Sequence, residues 1–118
     1  MKARYEDKTS FRRTIMRLHT QLAVLTLLAL PAAALTATVQ VRIQGMDFHP
    51  DTVTVAPGTT VTWTNDDSFA HTTTSDTKLW ESGPLQPGKS YSHTFDKPGS
   101  YPYHCTVHTF MTGTVTVK

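Results

Sequence analysis

The sequence predicts an all-β sandwich or barrel. Apolar and polar residues alternate at period two, β-branched residues fill the alternating stretches, and turn-forming pairs recur at short intervals. The first strand is expected over 38–45, where Val39, Val41 and Ile43 alternate with Gln40, Arg42 and Gln44. Val53 and Val55 alternate with threonines and predict a strand over 52–56. Pro57-Gly58 turns the chain into a third over 60–65, carried by Val61 and Trp63. Asn65-Asp66-Asp67 closes that strand, and the threonine-rich 70–74 predicts a fourth. Residues 75–89 are the least regular, punctuated by Gly83-Pro84 and Pro87-Gly88. Further strands are expected over 90–95, over 99–105 after Pro98-Gly99, and over 113–118, where Val115 and Val117 alternate. No stretch from residue 38 onward holds a 3.6 period long enough for a helix. Phe48, Trp63, Phe95, Tyr101 and Tyr103 fall on or beside the strands and are the expected aromatic core.

The first third is a different kind of polymer. Residues 1–37 hold six Lys or Arg against Glu6 and Asp7, a net +4, whereas 38–118 hold five against seven acids, a net −2. The formal charge of +2 for all 118 residues therefore belongs to the N-terminal segment and gives no reason to expect a nucleic-acid partner. A basic stretch ending at Arg17, the apolar Leu22–Leu30 broken by Pro31, and the small residues of Ala32-Ala33-Ala34-Leu35-Thr36-Ala37 follow the order of an export signal. Cleavage is expected after Ala34 or Ala37. Ser10-Phe11-Arg12-Arg13-Thr14-Ile15-Met16 resembles a twin-arginine signal. The apolar run from Leu22 to Leu35 is 14 residues long, short of the roughly 20 that span a bilayer. The expected product is a domain over 38–118, a monomer without stable membrane insertion, in a periplasmic or otherwise extracytoplasmic compartment.

The length excludes a multidomain enzyme, and the single cysteine, Cys105, excludes an intramolecular disulfide. A free thiol outside the cytoplasm is a liability unless something occupies it. Tyr103-His104-Cys105-Thr106-Val107-His108-Thr109-Phe110-Met111 contains Cys-x2-His-x2-Met between a strand end and Gly113. On a turning loop, residues at i, i+3 and i+6 can converge, here supplying a thiolate, an imidazole and a thioether. Soft sulfur with imidazole selects copper. A second imidazole must come from elsewhere, and His71, after the turn at Asn65 to Ser68, is the best placed by sequence. Zinc is the alternative metal, but its structural sites want four strong ligands, and Met111 is a poor one. A cysteine nucleophile would need a base, a third positioned group and a cleft. His19, His49, His93 and His104 read as surface or satisfied histidines.

At these residues the chain resembles the cupredoxins, the blue-copper electron-transfer family. The resemblance runs through Phe48-His49-Pro50, Pro57-Gly58, Val61-Thr62-Trp63-Thr64-Asn65, His71, Ser82-Gly83, Pro87-Gly88, Phe95 and Pro98-Gly99-Ser100-Tyr101-Pro102-Tyr103-His104-Cys105. The short ligand loop is most similar to that of the amicyanins, because plastocyanin-type loops place more residues between the histidine and the methionine. The resemblance implies a Greek-key β-sandwich, the cupredoxin-like barrel, holding one type 1 copper. It also implies His71, Cys105 and His108 as strong ligands, Met111 as the weak axial one, and Asn65 as a residue bonding near the cysteine loop and tying the two ligand segments together. Amicyanins carry prolines in this loop where the chain has Val107 and Thr109, so partner specificity is not carried over.

The function expected is one-electron carriage between redox proteins, such as a c-type cytochrome and a dehydrogenase or oxidase. Phe69, Ala70, Val107 and Phe110 flank the two histidines and are a candidate docking patch. The alternative is a copper chaperone or storage protein of the envelope, with His49, His93 and His104 assisting loading. An enzyme such as a copper oxidase would need an open coordination position that Met111 is expected to fill.

Overall fold

The period-two pattern becomes eight strands: β1 (Thr38–Ile43), β2 (Phe48–His49), β3 (Thr52–Val55), β4 (Thr59–Asn65), β5 (Thr74–Ser75), β6 (Ser90–Phe95), β7 (Gly99–His104) and β8 (Thr112–Val117). The computed structural model describes residues 26–31 and 36–118. Most of the segment read as an export signal, including Ala34 and the two arginines, lies outside the described residues. Among the described residues no helix is long and apolar enough to cross a membrane.

Two four-stranded sheets form, in the orders β2-β1-β4-β6 and β3-β8-β7-β5. β1 runs parallel to β4 and β3 parallel to β8, and the other pairs are antiparallel. A parallel pair cannot be joined by a tight hairpin. The chain therefore crosses between sheets after β2, β3, β4, β5 and β6, which makes a closed-over sandwich, the all-β architecture expected. The inward residues of β4 are Thr59, Val61, Trp63 and Asn65, all buried, and those of β8 are Gly113, Val115 and Val117. The outward residues of β4 and β6 pair hydroxyl to hydroxyl across the register: Thr60 with Thr94 at 2.8 Å, Thr62 with Ser92 at 2.7 Å, Thr64 with Ser90 at 2.8 Å. Such cross-strand hydroxyl pairs fix the register on the solvent side as burial does on the other.

Five of the expected strands form within two residues of their predicted ends, and 99–105 forms over 99–104. The strand expected over 70–74 does not. His71 makes only an isolated bridge with Leu85, and β5 is confined to Thr74–Ser75. The reason lies in where successive amides go: His71 N donates to Leu85 O, Thr72 N to Cys105 Sγ and Thr73 N to Ser82 Oγ. Three different partners cannot make a ladder. β2 is the converse, a two-residue strand with no readable period, paired back on β1 through Arg42↔His49 and Ile43↔Phe48.

Trp63 is the centre of the core, with its ring centroid 5.3 Å from Tyr103, 5.7 Å from Trp80 and 6.4 Å from Phe95. Tyr101 packs against this core only partly buried, and Trp80, from the irregular segment, joins it instead. Burial pushes the Tyr103 phenol up to about 12, despite the Trp63 indole beside it, which favours the phenolate without a hydrogen bond of good geometry. The Tyr103 ring lies against Gly113, its register partner, and any Cβ there would collide with the ring. The φ of Gly113 is not in the left-handed region, so glycine is needed for space alone. Gly113→Ala is expected to cost about 1–3 kcal/mol through overpacking, measured as a lower urea midpoint at unchanged slope.

Candidate metal centre

Two segments meet at one end of the sandwich. The first leaves β4 at Asn65, whose side chain folds into the turn that follows. Asn65 Nδ2 donates to Phe69 O at 2.6 Å and Leu85 O at 2.8 Å, and Oδ1 accepts from Asp67 N at 2.9 Å. All its polar atoms are used and the residue is fully buried. The turn so held delivers His71 into the interior, where paired backbone bonds with Leu85 (3.1 and 2.7 Å) pin it. The second segment is the loop after β7. Cys105 N donates to Met111 O at 3.1 Å and Met111 N to His108 O at 2.9 Å, so the loop closes on itself. Cys105 and Met111 are buried and His108 is half-buried.

The ligand atoms of His71, Cys105 and His108 all lie within 4.8 Å of one another. His71 Nδ1 stands 3.2 Å from His108 Nδ1 and 3.8 Å from Cys105 Sγ. A first-row ion held at about 2.0–2.1 Å from each of two nitrogens separates them by about 3.3 Å at a tetrahedral angle, and a thiolate at about 2.3 Å lies slightly farther from either. The donors are thus already spaced for one small ion. One thiolate, two imidazoles and a buried thioether in the same loop fit copper better than zinc, which lacks a fourth hard or thiolate donor here.

The structure brings His71, Cys105 and His108 together and buries Met111 in the same loop. It corrects the role expected of Asn65. That side chain bonds to Phe69 and Leu85, within its own segment and the neighbouring loop, because it turns down into the turn after β4. The tie to the cysteine loop is made by Thr72, which sequence reasoning missed. Thr72 N donates to Cys105 Sγ at 3.3 Å, and Thr106 N donates to Thr72 Oγ1 at 2.8 Å. Asp67 was also missed: its Oδ2 lies 2.9 Å from His71 Nε2. Burial alone would raise the Asp67 carboxyl, but the amides of Met46 and Gly45 and the His71 ring together hold it below its usual range. The only sequence signal was an acid four residues before a candidate ligand, in a turn that reads equally as punctuation.

Phe69, Val107 and Phe110 are 56%, 54% and 70% exposed, and the Phe110 ring lies 6.0 Å from that of His108. Ala70 is half-buried. The other described histidines sit elsewhere: His49 against Gln44 O, His104 against Asp76, and His93 stacked on Trp80, its pKa lowered by burial.

Residues 18–117 match the family model of the cupredoxin-like domain. The chain is 35% identical to amicyanin-alpha of Methylorubrum extorquens over 89 residues, 67% of this chain and 71% of that protein. It is 38% identical to plastocyanin of Scenedesmus fuscus over 84 residues, 60% of this chain and 86% of that one. Among solved structures, a purple cupredoxin from Nitrosopumilus maritimus superposes with a TM-score of 0.64 at 35% identity, covering 68% of this chain and 99% of that one. A reduced amicyanin variant gives 0.66 at 30% identity, covering 70% and 83%. With the sandwich, the convergent donors and these likenesses together, the chain belongs to the cupredoxin-like family, and copper is the metal its site fits.

Proposed function

We propose that the protein is a soluble one-electron carrier between redox proteins, in which His71, Cys105 and His108 would hold one type 1 copper, with Met111 as a weaker fourth donor. The observation that carries the reading is the convergence of one thiolate and two imidazoles, two of the three fully buried, at one end of a rigid sandwich. Copper, when bound, would supply a one-electron couple between Cu(II) and Cu(I). The chain's own residues do the rest. Buried His71 and Cys105 exclude water from the site. The Thr72 amide donates to the Cys105 sulfur and stabilises negative charge on it, and the closed loop from Cys105 to Met111 resists rearrangement. His108 is the half-buried member, framed by Phe69, Val107 and Phe110, so a partner approaches there. A small apolar patch suits partners that must separate after each encounter.

Residues 1–37 serve in this reading as the export signal, cut after Ala34 or Ala37, and the domain of 38–118 works as a monomer in the periplasm or a comparable compartment. A c-type cytochrome, or a dehydrogenase or oxidase, is the class of partner. The test is kinetic. Copper-loaded protein mixed with a c-type cytochrome is expected to exchange electrons rapidly and keep its metal. Delivery of copper to an apo-acceptor without electron exchange would instead establish a chaperone. Phe110→Glu is expected to slow the exchange by about tenfold, equivalent to about 1.4 kcal/mol of encounter affinity, at an unchanged optical spectrum.

A further inference from the structure

The Asp67 carboxylate is held on three sides. Gly45 N donates to Oδ1 at 2.7 Å and Met46 N to Oδ2 at 2.9 Å, across 22 and 21 residues of sequence. Gly45 and Met46 are both in the left-handed region, with φ of 62° and 56°. Successive amides in such a turn form a concave nest that binds an anion. A left-handed residue other than glycine costs about 1–2 kcal/mol, so the Met46 conformation persists because something offsets it. The third contact is His71 Nε2, 2.9 Å from Oδ2, with the Asp67 side chain 14% exposed and the histidine 0%. An ionised carboxylate can only accept, so the imidazole donates from Nε2. That leaves Nδ1 with its lone pair bare, and Nδ1 is the atom facing Cys105 Sγ and His108 Nδ1.

We propose that Asp67, gripped by the Gly45-Met46 amide nest, is a positioning residue that fixes the tautomer and orientation of His71 and, through its charge, makes that imidazole a stronger donor to the metal. The proposal deepens the copper-carrier reading and rests on it for its metal-dependent part. It joins the β1–β2 turn to the buried ligand, a coupling that no residue of the ligand loop supplies. A more basic imidazole favours the higher oxidation state, so the carboxylate lowers the reduction potential and slows loss of the metal. Loss of such an outer partner commonly weakens metal affinity about 10- to 100-fold.

Two substitutions separate orientation from charge. Asp67→Asn keeps one acceptor oxygen for His71 Nε2 and Met46 N, and removes the charge together with the acceptor for Gly45 N. Asp67→Ala removes the charge and both acceptors. The first measurement needs no copper: nitrogen-15 NMR of the metal-free protein is expected to show His71 protonated at Nε2 in the wild type and Asp67→Asn, and a mixture of tautomers in Asp67→Ala. The second uses the copper-loaded proteins. Asp67→Asn is expected to raise the reduction potential, with a loss of thermal stability in the metal-free form from the one amide bond given up at Gly45 N, and Asp67→Ala to release copper to a chelator at least tenfold faster. A merely structural role would lower stability alone and leave the potential of Asp67→Asn where it was. The proposal is overturned if His71 keeps one tautomer in Asp67→Ala, or if the potential of Asp67→Asn equals that of the wild type. Should Asp67→Ala not fold, the potential of Asp67→Asn decides. A wild type that forms no coloured copper complex refutes the carrier reading, while the metal-free tautomer measurement still reports on Asp67.

Discussion

Cys105→Ser is expected to abolish the intense thiolate-to-copper absorption completely and to leave the fold in place. The two halves of that expectation have separate causes. Sulfur is the only thiolate in the chain, so nothing can substitute for it as the charge-transfer donor. A serine hydroxyl is a harder donor that does not ionise near neutrality, and it forfeits the preference for copper along with the band. The backbone would scarcely notice. Cys105 is fully buried, but serine is smaller by little, the Thr72 amide can donate to the new oxygen as it does to Sγ, and the loop bonds to Met111 and His108 are made by backbone. The measurement is the optical and paramagnetic resonance spectrum of the copper-loaded variant, with circular dichroism of the same sample. A variant that keeps the band, or a wild type that binds Cu(II) without colour or prefers zinc, would refute copper–thiolate ligation.

Trp63→Ala is the substitution expected to cost most in stability. The indole touches Trp80, Tyr91, Phe95 and Tyr103, from two other strands (β6 and β7) and the long loop before β6, and its side chain is fully buried. Truncating such a residue removes its transfer free energy and leaves a cavity between the two sheets that the surrounding strands fill only in part, for a loss of about 3–5 kcal/mol. Against a typical total of about 5–15 kcal/mol, that brings the metal-free domain near its threshold. Copper binds the folded state, so loading is expected to recover part of the loss by mass action. Urea unfolding with and without copper checks both points. A loss below about 1 kcal/mol would mean the aromatic cluster is not the keystone its geometry indicates.

The ligand loop and the long strands were legible before any fold was known, and for the same reason. Cys105, His108 and Met111 lie within seven residues, so their convergence needs only one turn of chain. The pleat of β1, β4 and β8 alternates residue by residue, so Val41, Trp63 and Val115 declare their inward face without reference to a partner strand. His71 was legible only as a histidine after a turn. Its pairing with Cys105 crosses 34 residues, and resemblance supplied what spacing could not. The segment around it misled, because threonine-rich sequence favours strand while its amides go to three unrelated groups. Trp80 sits where the pattern is least regular, and its burial depends on Trp63 and Phe95 on other strands, with Thr73 Oγ1 accepting from its indole at 3.1 Å.

The sequence by itself determined the class of fold, the metal-selecting chemistry and three of the four candidate donors, because these follow from local period and local spacing. Tertiary structure alone decided which side chains support the donors. Asn65, Asp67 and Thr72 all lie within seven residues of His71 and are alike in sequence as turn-forming polar residues. What separates them is contact at long range: Leu85 for Asn65, the Gly45-Met46 amides for Asp67, the Cys105 sulfur for Thr72. A polar side chain's hydrogen bond is set by whichever group the fold brings within about 3 Å of it, and that proximity is a property of the closed sandwich rather than of any stretch of chain.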